Sequence, residues 1–174
     1  MSETESRFSP DVRQHKNVQA LRSGQEYTRA AIYHLAARSS SLFEEYWGVG
    51  TTPDRPWRNA MILRFEHILI GLNTVAYQYE FVAPPNLYLS PYHHVCAWVC
   101  KYCVGPNIVH VTDEFYSQPL STLGAILVHE ISHRQLLTND YGFGVGGIQR
   151  LSPDQRLDNA DCYGLFARAC ARPT

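Results

Sequence analysis

LSTLGAILVHEISHRQLLTNDYGFG, residues 120–144, contains the word His129-Glu130-Ile131-Ser132-His133 in an apolar, helix-forming context. Histidines four positions apart lie on one face of a helix, so both imidazoles can reach one metal ion. A glutamate beside the first histidine can accept a proton from a metal-activated water. The spacing therefore predicts a zinc peptidase site with Glu130 as general base. The alternative is a structural helix that carries two surface histidines and a glutamate.

The same helix is expected to begin after Ser117-Gln118-Pro119, with Ser117 or Ser121 supplying a capping side chain. Its apolar residues recur at helical spacing and should pack on the core; they are Leu120, Leu123, Leu127 and Ile131. The two histidines fall on a neighbouring face, which should border a cleft.

The third metal ligand can be narrowed by elimination. No histidine and no glutamate follows His133, which excludes a downstream Glu ligand. The extended H-E-x-x-H-x-x-G-x-x-H pattern also fails, because Leu136 and Asn139 stand where Gly and His are required. The donors that remain are Asp140, Asp154, Asp158, Asp161, Cys162 and Cys170. Asp140 is favoured, because it lies where the helix must end and the chain can fold back under the metal.

Composition sets the broad class. A chain of 174 residues with 45% hydrophobic and 18% charged residues is expected to form one soluble domain. A net charge of −1 gives no electrostatic case for nucleic acid or an anionic membrane surface. MSETESRF lacks the apolar core of a secretory signal, so we expect a cytoplasmic protein, export by a signal-independent route, or removal of an export segment.

Periodicity predicts an α+β fold. Residues 1–16 are expected to form a flexible tail, and residues 17–174 a single domain with helices over Asn17–Arg38 and Pro56–Asn73. Alternation then predicts short strands, which are Val75–Phe81, Leu87–Leu89, Val95–Tyr102 and Ile108–Thr112. Because no βαβ alternation is present, the strands are expected to be antiparallel. A final helix is expected from Asn159 to Ala171.

A second cluster of candidate metal donors lies between the strands; its members are His93, His94, Cys96, Cys100 and Cys103. The cluster could hold structural zinc, but no second C-x-x-C pair follows at zinc-finger spacing. The alternative is a β-hairpin with buried thiols or one disulfide. The five cysteines of the chain are an odd number, so they cannot all pair within it.

Three motifs in order resemble the aspzincin metallopeptidases, the deuterolysin and peptidyl-Lys metalloendopeptidase group. They are H-E-x-x-H, then Thr138-x-Asp140-x-x-Phe143-Gly144, which is similar to the family's G-T-x-D-x-x-Y-G, and finally residues 158–167, similar to its closing N-A-D-x-Y-x-x-F-A helix. The resemblance covers about Asn17 to Ala169. It implies a zincin-like domain: N-terminal helices, an antiparallel β-meander, the active-site helix and a C-terminal helix. It also implies one catalytic Zn²⁺ bound by His129, His133 and Asp140.

Two positions depart from the family motif. Leu137 replaces a Gly, which is tolerable if the backbone there need not take positive φ. Phe143 replaces a Tyr whose hydroxyl is thought to stabilise the tetrahedral oxyanion, and loss of one such donor can cost about 2.7–4 kcal/mol. Tyr141 or Tyr163 is expected to supply the hydroxyl instead. Both are therefore candidate catalytic residues beside Glu130.

Asp161 and Phe143 are the predicted substrate-binding residues. In the lysine-specific branch, the resemblance implies a pocket of two acids on the closing helix. Asp161 matches the first acid, whereas Gly164 occupies the position of the second, which leaves substrate preference open. The alternative is that the N-A-D motif caps the helix, with Asp158 or Asn159 accepting from free backbone N–H groups.

The function predicted is that of a zinc endopeptidase, which could act as a secreted effector or toxin. The alternatives are a zinc-binding domain with weak or no catalysis, and a zinc amidase that acts on a cell-wall peptide. The partners expected are a protein or peptide substrate and, for an effector, an inhibitor or immunity protein. Nucleic acid and membrane are not expected partners, and the sequence does not determine the oligomeric state.

Overall fold

The computed structural model describes residues 6–37, 39–79, 96–102 and 105–172. The fold is α+β: helices pack around one another and against a sheet of three short strands. The helices are α1 (Pro10–Ala36), α2 (Ser41–Trp47), α3 (Arg55–Leu72), α4 (Asp113–Ser117), α5 (Leu120–Leu136), α6 (Gly144–Ile148), α7 (Pro153–Leu157) and α8 (Ala160–Cys170). The strands are β1 (Val75–Tyr79), β2 (Ala97–Val99) and β3 (Asn107–Val111).

The first helix begins much earlier than the predicted tail allowed. The Ser9 hydroxyl accepts a hydrogen bond from the Val12 N–H, and Pro10 occupies the first turn, where its missing N–H has no cost. Just before the helix, the Arg7 N–H donates to the Asp113 carboxylate at 2.8 Å. The flexible tail over residues 1–16 is therefore wrong for residues 6–16, whereas residues 1–5 lie outside the described part.

Helix α3 lies within one residue of its predicted bounds, and the predicted helix over Asn159–Ala171 is confirmed as α8. Four short helices (α2, α4, α6 and α7) were not predicted, because five to seven residues hardly show a helical period. The predicted side-chain cap of α5 is absent: Pro119 occupies the N-cap position and no side chain caps the helix.

The sheet is mixed rather than an antiparallel meander. The strand order is β1-β3-β2; β3 pairs in parallel with β1 and antiparallel with β2. The alternation of side chains along the sequence predicted β1 as a strand, and its burial does alternate. Such alternation carries no information about the direction of the partner strand. Residues 80–106 connect β1 to β3, which is long enough for the crossover that parallel pairing requires. The predicted strand Leu87–Leu89 lies outside the described residues.

Helix α5 is the central element of the packing, since it contacts α1, α3 and α8. Leu123, Leu127 and Ile131 are fully buried as predicted, whereas Leu120 at the helix start is 45% exposed. At Gly124 the backbones of α1 and α5 approach closely: a Cβ there would lie 2.8 Å from the Gly24 nitrogen. Small residues thus let the middle of α5 lie deep in the fold, with its histidine face toward the cleft.

Aromatic rings form the core beneath α8. Tyr163 and Phe166 of this helix pack edge-on against Trp47, with ring centroids 5.0 and 5.6 Å apart. These ring contacts in the core therefore fix α8 beside α5.

Among the described residues, no helix has the length and hydropathy that crossing a membrane requires.

Helix α5 ends in a left-handed residue. Leu137 has φ 57° and ψ 31°, so the backbone here does take the positive φ for which the family motif has glycine. The condition under which leucine would replace glycine without strain is therefore not met. A left-handed conformation costs an L-residue with a Cβ roughly 1–2 kcal/mol.

Leu137→Gly is expected to raise the free energy of unfolding by about 1 kcal/mol, because it removes this strain while the leucine side chain is already half exposed. Urea denaturation measures the change. Leu136→Gly is the matched control and should destabilise, since residue 136 lies in the helix and packs against the core. Equal effects at the two positions would contradict the strain at residue 137.

Candidate active site

Helix α5 places the two histidines of the H-E-x-x-H word side by side. The rings of His129 and His133 have centroids 4.8 Å apart, and their Nε2 atoms lie 3.1 Å from each other. Both side chains are largely buried, at 12% and 13% exposed. The histidine face of α5 thus presents two imidazole nitrogens to one point.

Asp140 completes this group from the loop after α5. Its Oδ1 lies 3.2 Å from Nε2 of His129, and its Oδ2 lies 3.3 Å from Nε2 of His133. Glu130 also lies within 4.8 Å of both histidines, but its carboxylate is 4.0 Å from the His129 Nε2. We favour Asp140 as the third ligand, because it bridges both imidazoles while Glu130 stands beside them.

The other ring nitrogen of each histidine is bound by an acceptor. The Nδ1 of His133 lies 2.8 Å from the Thr138 carbonyl oxygen, and the Nδ1 of His129 lies 3.3 Å from Oδ1 of Asp161. A carbonyl and a carboxylate only accept hydrogen bonds, so each Nδ1 donates to its partner, and each Nε2 faces Asp140, where its lone pair is available once a metal ion displaces any proton. Metal-binding histidines typically have this second hydrogen bond.

These contacts test whether the residues fit a metal ion. Two Nε2 atoms and two Asp140 oxygens converge within 3.1–3.3 Å. Atoms of this kind at such distances need positive charge between them, either protons on the imidazoles or a metal ion. Two imidazoles and one carboxylate form the kind of donor set that zinc takes in catalytic sites. The residues therefore fit a divalent metal ion.

The electrostatics of the site also favour positive charge. Burial by itself lowers the pKa of His129, but its hydrogen bonds to Asp140 and Asp161 outweigh burial and raise the pKa to about 10. Burial acts to raise the pKa of Asp140, yet hydrogen bonds to His129 and His133 take it well below its usual range. Burial raises the pKa of Glu130 to about 7, although both histidines oppose this shift.

The N-A-D motif at the start of α8 holds the loop that carries Asp140. The Asn159 amide oxygen accepts from the N–H groups of Tyr141 and Gly142 at 2.7 and 3.1 Å, and its amide nitrogen donates to the Gly142 carbonyl at 3.0 Å. Asn159 sits at the N-cap position but makes no capping hydrogen bond, and Asp158 accepts from the Asn139 side chain at 2.7 Å. The predicted capping role is therefore wrong; the motif joins α8 to the loop of residues 139–142.

Asp161 lines the cleft beside the two histidines, and both of its carboxylate oxygens have partners within the protein. One carboxylate oxygen faces Nδ1 of His129, and the other accepts the Gly144 N–H at 2.5 Å. Phe143 also lies near His129, with nearly parallel rings whose centroids are 6.3 Å apart. Phe143 is half exposed and lines the cleft, as a substrate-contacting residue would.

Neither predicted replacement tyrosine brings its hydroxyl to the cleft. Tyr163 is fully buried; its hydroxyl donates to the Leu157 carbonyl at 2.8 Å and accepts from Arg64 at 2.7 Å. The Tyr141 hydroxyl donates to the Asp158 carboxylate at 3.0 Å, away from the cleft lining. The expectation that Tyr163 supplies the oxyanion donor is therefore wrong, and Tyr141 would first have to leave Asp158.

His129, His133 and Asp140 line a cavity of about 630 Å³, which lies between α5, α8, β2 and the 138–143 loop. Two cationic residues that the sequence analysis missed also line it, Lys101 and Arg168. The Lys101 ammonium donates to the Asn139 side chain at 2.9 Å. Arg168 follows Asp161 at helical spacing on α8, which is a signal that the sequence did contain.

The cysteine cluster gives little support to a second zinc site. Cys96 is a free thiol, whereas Cys100 is bound in a disulfide and so cannot serve as a thiolate ligand. Burial raises the pKa of Cys96 to about 11, which disfavours its thiolate. His93, His94 and Cys103 lie outside the described residues.

A histidine pair on a helix, a carboxylate from the following loop and an open cleft are the arrangement of the zincin class of metallopeptidases. Comparison with known proteins narrows the class. The aspzincin M35 family model, described as lysine-specific metallo-endopeptidase, matches residues 34–168. The chain belongs to this family.

The relatives are fungal proteases. A neutral protease 2 homologue of Uncinocarpus reesii is 42% identical over 167 residues, which are 88% of this chain and 44% of the relative. One from Aspergillus oryzae is 30% identical over 166 residues, 86% of this chain and 44% of the relative. The chain thus spans less than half the length of these relatives.

A solved zinc peptidase from Grifola frondosa is similar in fold. The TM-score is 0.75 with 18% sequence identity, over 92% of this chain and 96% of that one. The likeness confirms the α+β architecture around α5 and α8.

Asp140→Asn is expected to abolish stoichiometric zinc binding, because the bridging carboxylate loses its charge. Asp161→Asn should weaken zinc binding by roughly 10–100-fold, since it loosens the hydrogen bond that orients His129. Competition with a chromophoric chelator measures both affinities. Asp154→Asn is the control, because Asp154 is exposed and outside the cleft. Unchanged affinity in Asp161→Asn would show that its contact with His129 is incidental.

Proposed function

We propose that this chain is a zinc-dependent endopeptidase domain that hydrolyses peptide bonds in protein or peptide substrates. The observation that carries the proposal is the convergence of the His129 and His133 Nε2 atoms on both carboxylate oxygens of Asp140. Three protein ligands with a cleft on the open side are the usual catalytic zinc arrangement. When bound, the zinc ion polarises the scissile carbonyl and lowers the pKa of the attacking water.

Glu130 is the proposed general base. Glu130 is only 7% exposed. The Val99 N–H donates a hydrogen bond to its carboxylate, which fixes the carboxylate at the cleft wall. Glu130 accepts a proton as water forms the new carbon–oxygen bond. It returns that proton to the leaving amine when the carbon–nitrogen bond breaks, so the carboxylate is regenerated.

Strand β2 can align the substrate. Its residues Ala97, Trp98 and Val99 line the cleft, and β3 pairs with one of its edges. No other described strand pairs with the opposite edge. An extended peptide can add to such an edge through backbone hydrogen bonds, which holds the scissile bond beside the histidines without reading its side chains.

Phe143 supports a second candidate, a zinc domain with weak catalysis. Its ring lies against His129, where the resemblance places a tyrosine hydroxyl, and it has no donor to offer an oxyanion. Two tyrosines that could compensate are hydrogen-bonded elsewhere. A low turnover would follow, without any loss of the metal.

Glu130→Gln is expected to retain zinc and to lower peptide cleavage by at least a hundredfold, because the amide cannot accept the water proton. Mass spectrometry of peptide-library digests measures cleavage, and metal analysis checks the zinc content. Glu114→Gln is the control, since Glu114 lies on α4 outside the cleft. Stoichiometric zinc without any Glu130-dependent cleavage would leave a binding domain instead of a peptidase.

Phe143→Tyr is expected to raise kcat by about tenfold or more, because it restores a hydroxyl at the cleft near His129. Steady-state kinetics on a peptide that the wild type cleaves measures the gain. Phe143→Leu should give no gain, which separates the hydroxyl from a change in cleft shape. If Phe143→Tyr leaves kcat unchanged, another donor stabilises the oxyanion and the weak-catalysis alternative loses its basis.

An amidase that acts on a cell-wall peptide would use the same residues. Release of products from peptidoglycan but not from polypeptides would favour it. The role of secreted effector or toxin, with an inhibitor or immunity protein as partner, is a hypothesis that rests on the sequence.

A further inference from the structure

The carboxylates that line the cleft are already engaged within the protein. Asp140 bridges the two histidines, and Asp161 binds His129 through one oxygen and the Gly144 N–H through the other. Glu130 is buried and accepts from Val99. A substrate lysine that entered this cleft would therefore compete with existing contacts for every described carboxylate.

Gly164 leaves no room for a further acidic side chain on the α8 side of the cleft. A Cβ at residue 164 would lie 2.5 Å from the Ala125 carbonyl oxygen, because α5 and α8 touch at this point. An aspartate or glutamate here would push the two helices apart. The wall between Asp161 and the next turn of α8 is thus uncharged.

Arg168 is the charged residue further along this wall. Asp161, Gly164, Leu165 and Arg168 are spaced three and four apart, so they share one face of α8, and all four line the cleft. Arg168 lies two turns beyond Asp161, roughly 10 Å along the helix axis. An extended arginine and an acidic substrate side chain can close that distance between them.

Arg168 also differs from Arg64 and Arg156 in its contacts. Burial raises the pKa of the Tyr46 hydroxyl and the charge of Arg168 acts to lower it, but Arg168 makes no hydrogen bond within the described part of the chain. Arg64 donates to the Leu157 carbonyl and the Tyr163 hydroxyl, and Arg156 donates to several carbonyls around α7. No hydrogen bond or ion pair links Arg168 to a described residue. The residue is partly buried, and the apolar Leu165 and Ile126 line the same cleft, where a charge-assisted hydrogen bond gains strength.

We propose that Arg168 determines specificity by binding a substrate carboxylate next to the scissile bond, on the α8 side of the cleft. The inference rests on the proposed peptidase function and specifies its substrate class. The carboxylate can come from a Glu or Asp side chain or from the C-terminus of a short peptide. This preference is opposite in charge to the lysine specificity in the family's description.

The test is a set of peptides that differ only at the residues flanking one cleaved bond, with Glu, Gln or Lys in turn. Each peptide is made with a free and an amidated C-terminus. The wild type should show about tenfold higher kcat/KM for Glu than for Lys at one flanking position. If the chain terminus is the ligand, amidation should abolish the preference instead.

Arg168→Glu should reverse the preference towards Lys, and Arg168→Gln should remove it. Arg29→Glu is the matched control, because it makes the same charge change at an exposed site on α1. Binding of the same peptides to zinc-loaded Glu130→Gln, measured by calorimetry, separates recognition from cleavage. A wild-type preference for Lys, or any preference that survives Arg168→Glu, would overturn the inference. Absence of Glu130-dependent cleavage would instead contradict the proposed function, while the binding assay still tests Arg168.

Discussion

The close contact between α5 and α8 at Gly164 is the constraint on which the site depends. With no side chain at this position, the Ala125 carbonyl lies against the α8 backbone, and one turn away Asp161 reaches Nδ1 of His129. The same approach places Asn159 against the loop that carries Asp140. One helix contact therefore orients a histidine and holds the carboxylate that faces it.

How far the sequence predicts the structure depends on whether each feature is local. The His129–His133 pair and Asp140 were predictable, because helical spacing is a property of one short stretch and elimination needs only the identities of the residues that follow it. The parallel pairing of β1 with β3 was not, since it depends on a crossover that no local pattern records. The role of Asn159 was missed for the same reason: its partners at residues 141–142 are distant in sequence, whereas capping is the commonest local use of an Asn before a helix.

The departures from the family motif have different consequences. Leu137 has the left-handed backbone conformation that a glycine would adopt without cost, so its backbone is strained. It lies where the chain must turn toward Asp140. Phe143 keeps a ring beside His129 and loses only a hydroxyl. The first change acts on stability and the second on the lining of the cleft, and neither alters His129, His133 or Asp140.

Helix α8 comes last in the described chain, yet it fixes the loop of Asp140 and the ring of His129. A growing polypeptide that has left the ribosome as far as Leu157 already contains both histidines and Asp140, but not the side chains that orient them. The histidines and Asp140 are therefore fully oriented only once the closing helix has docked against α5.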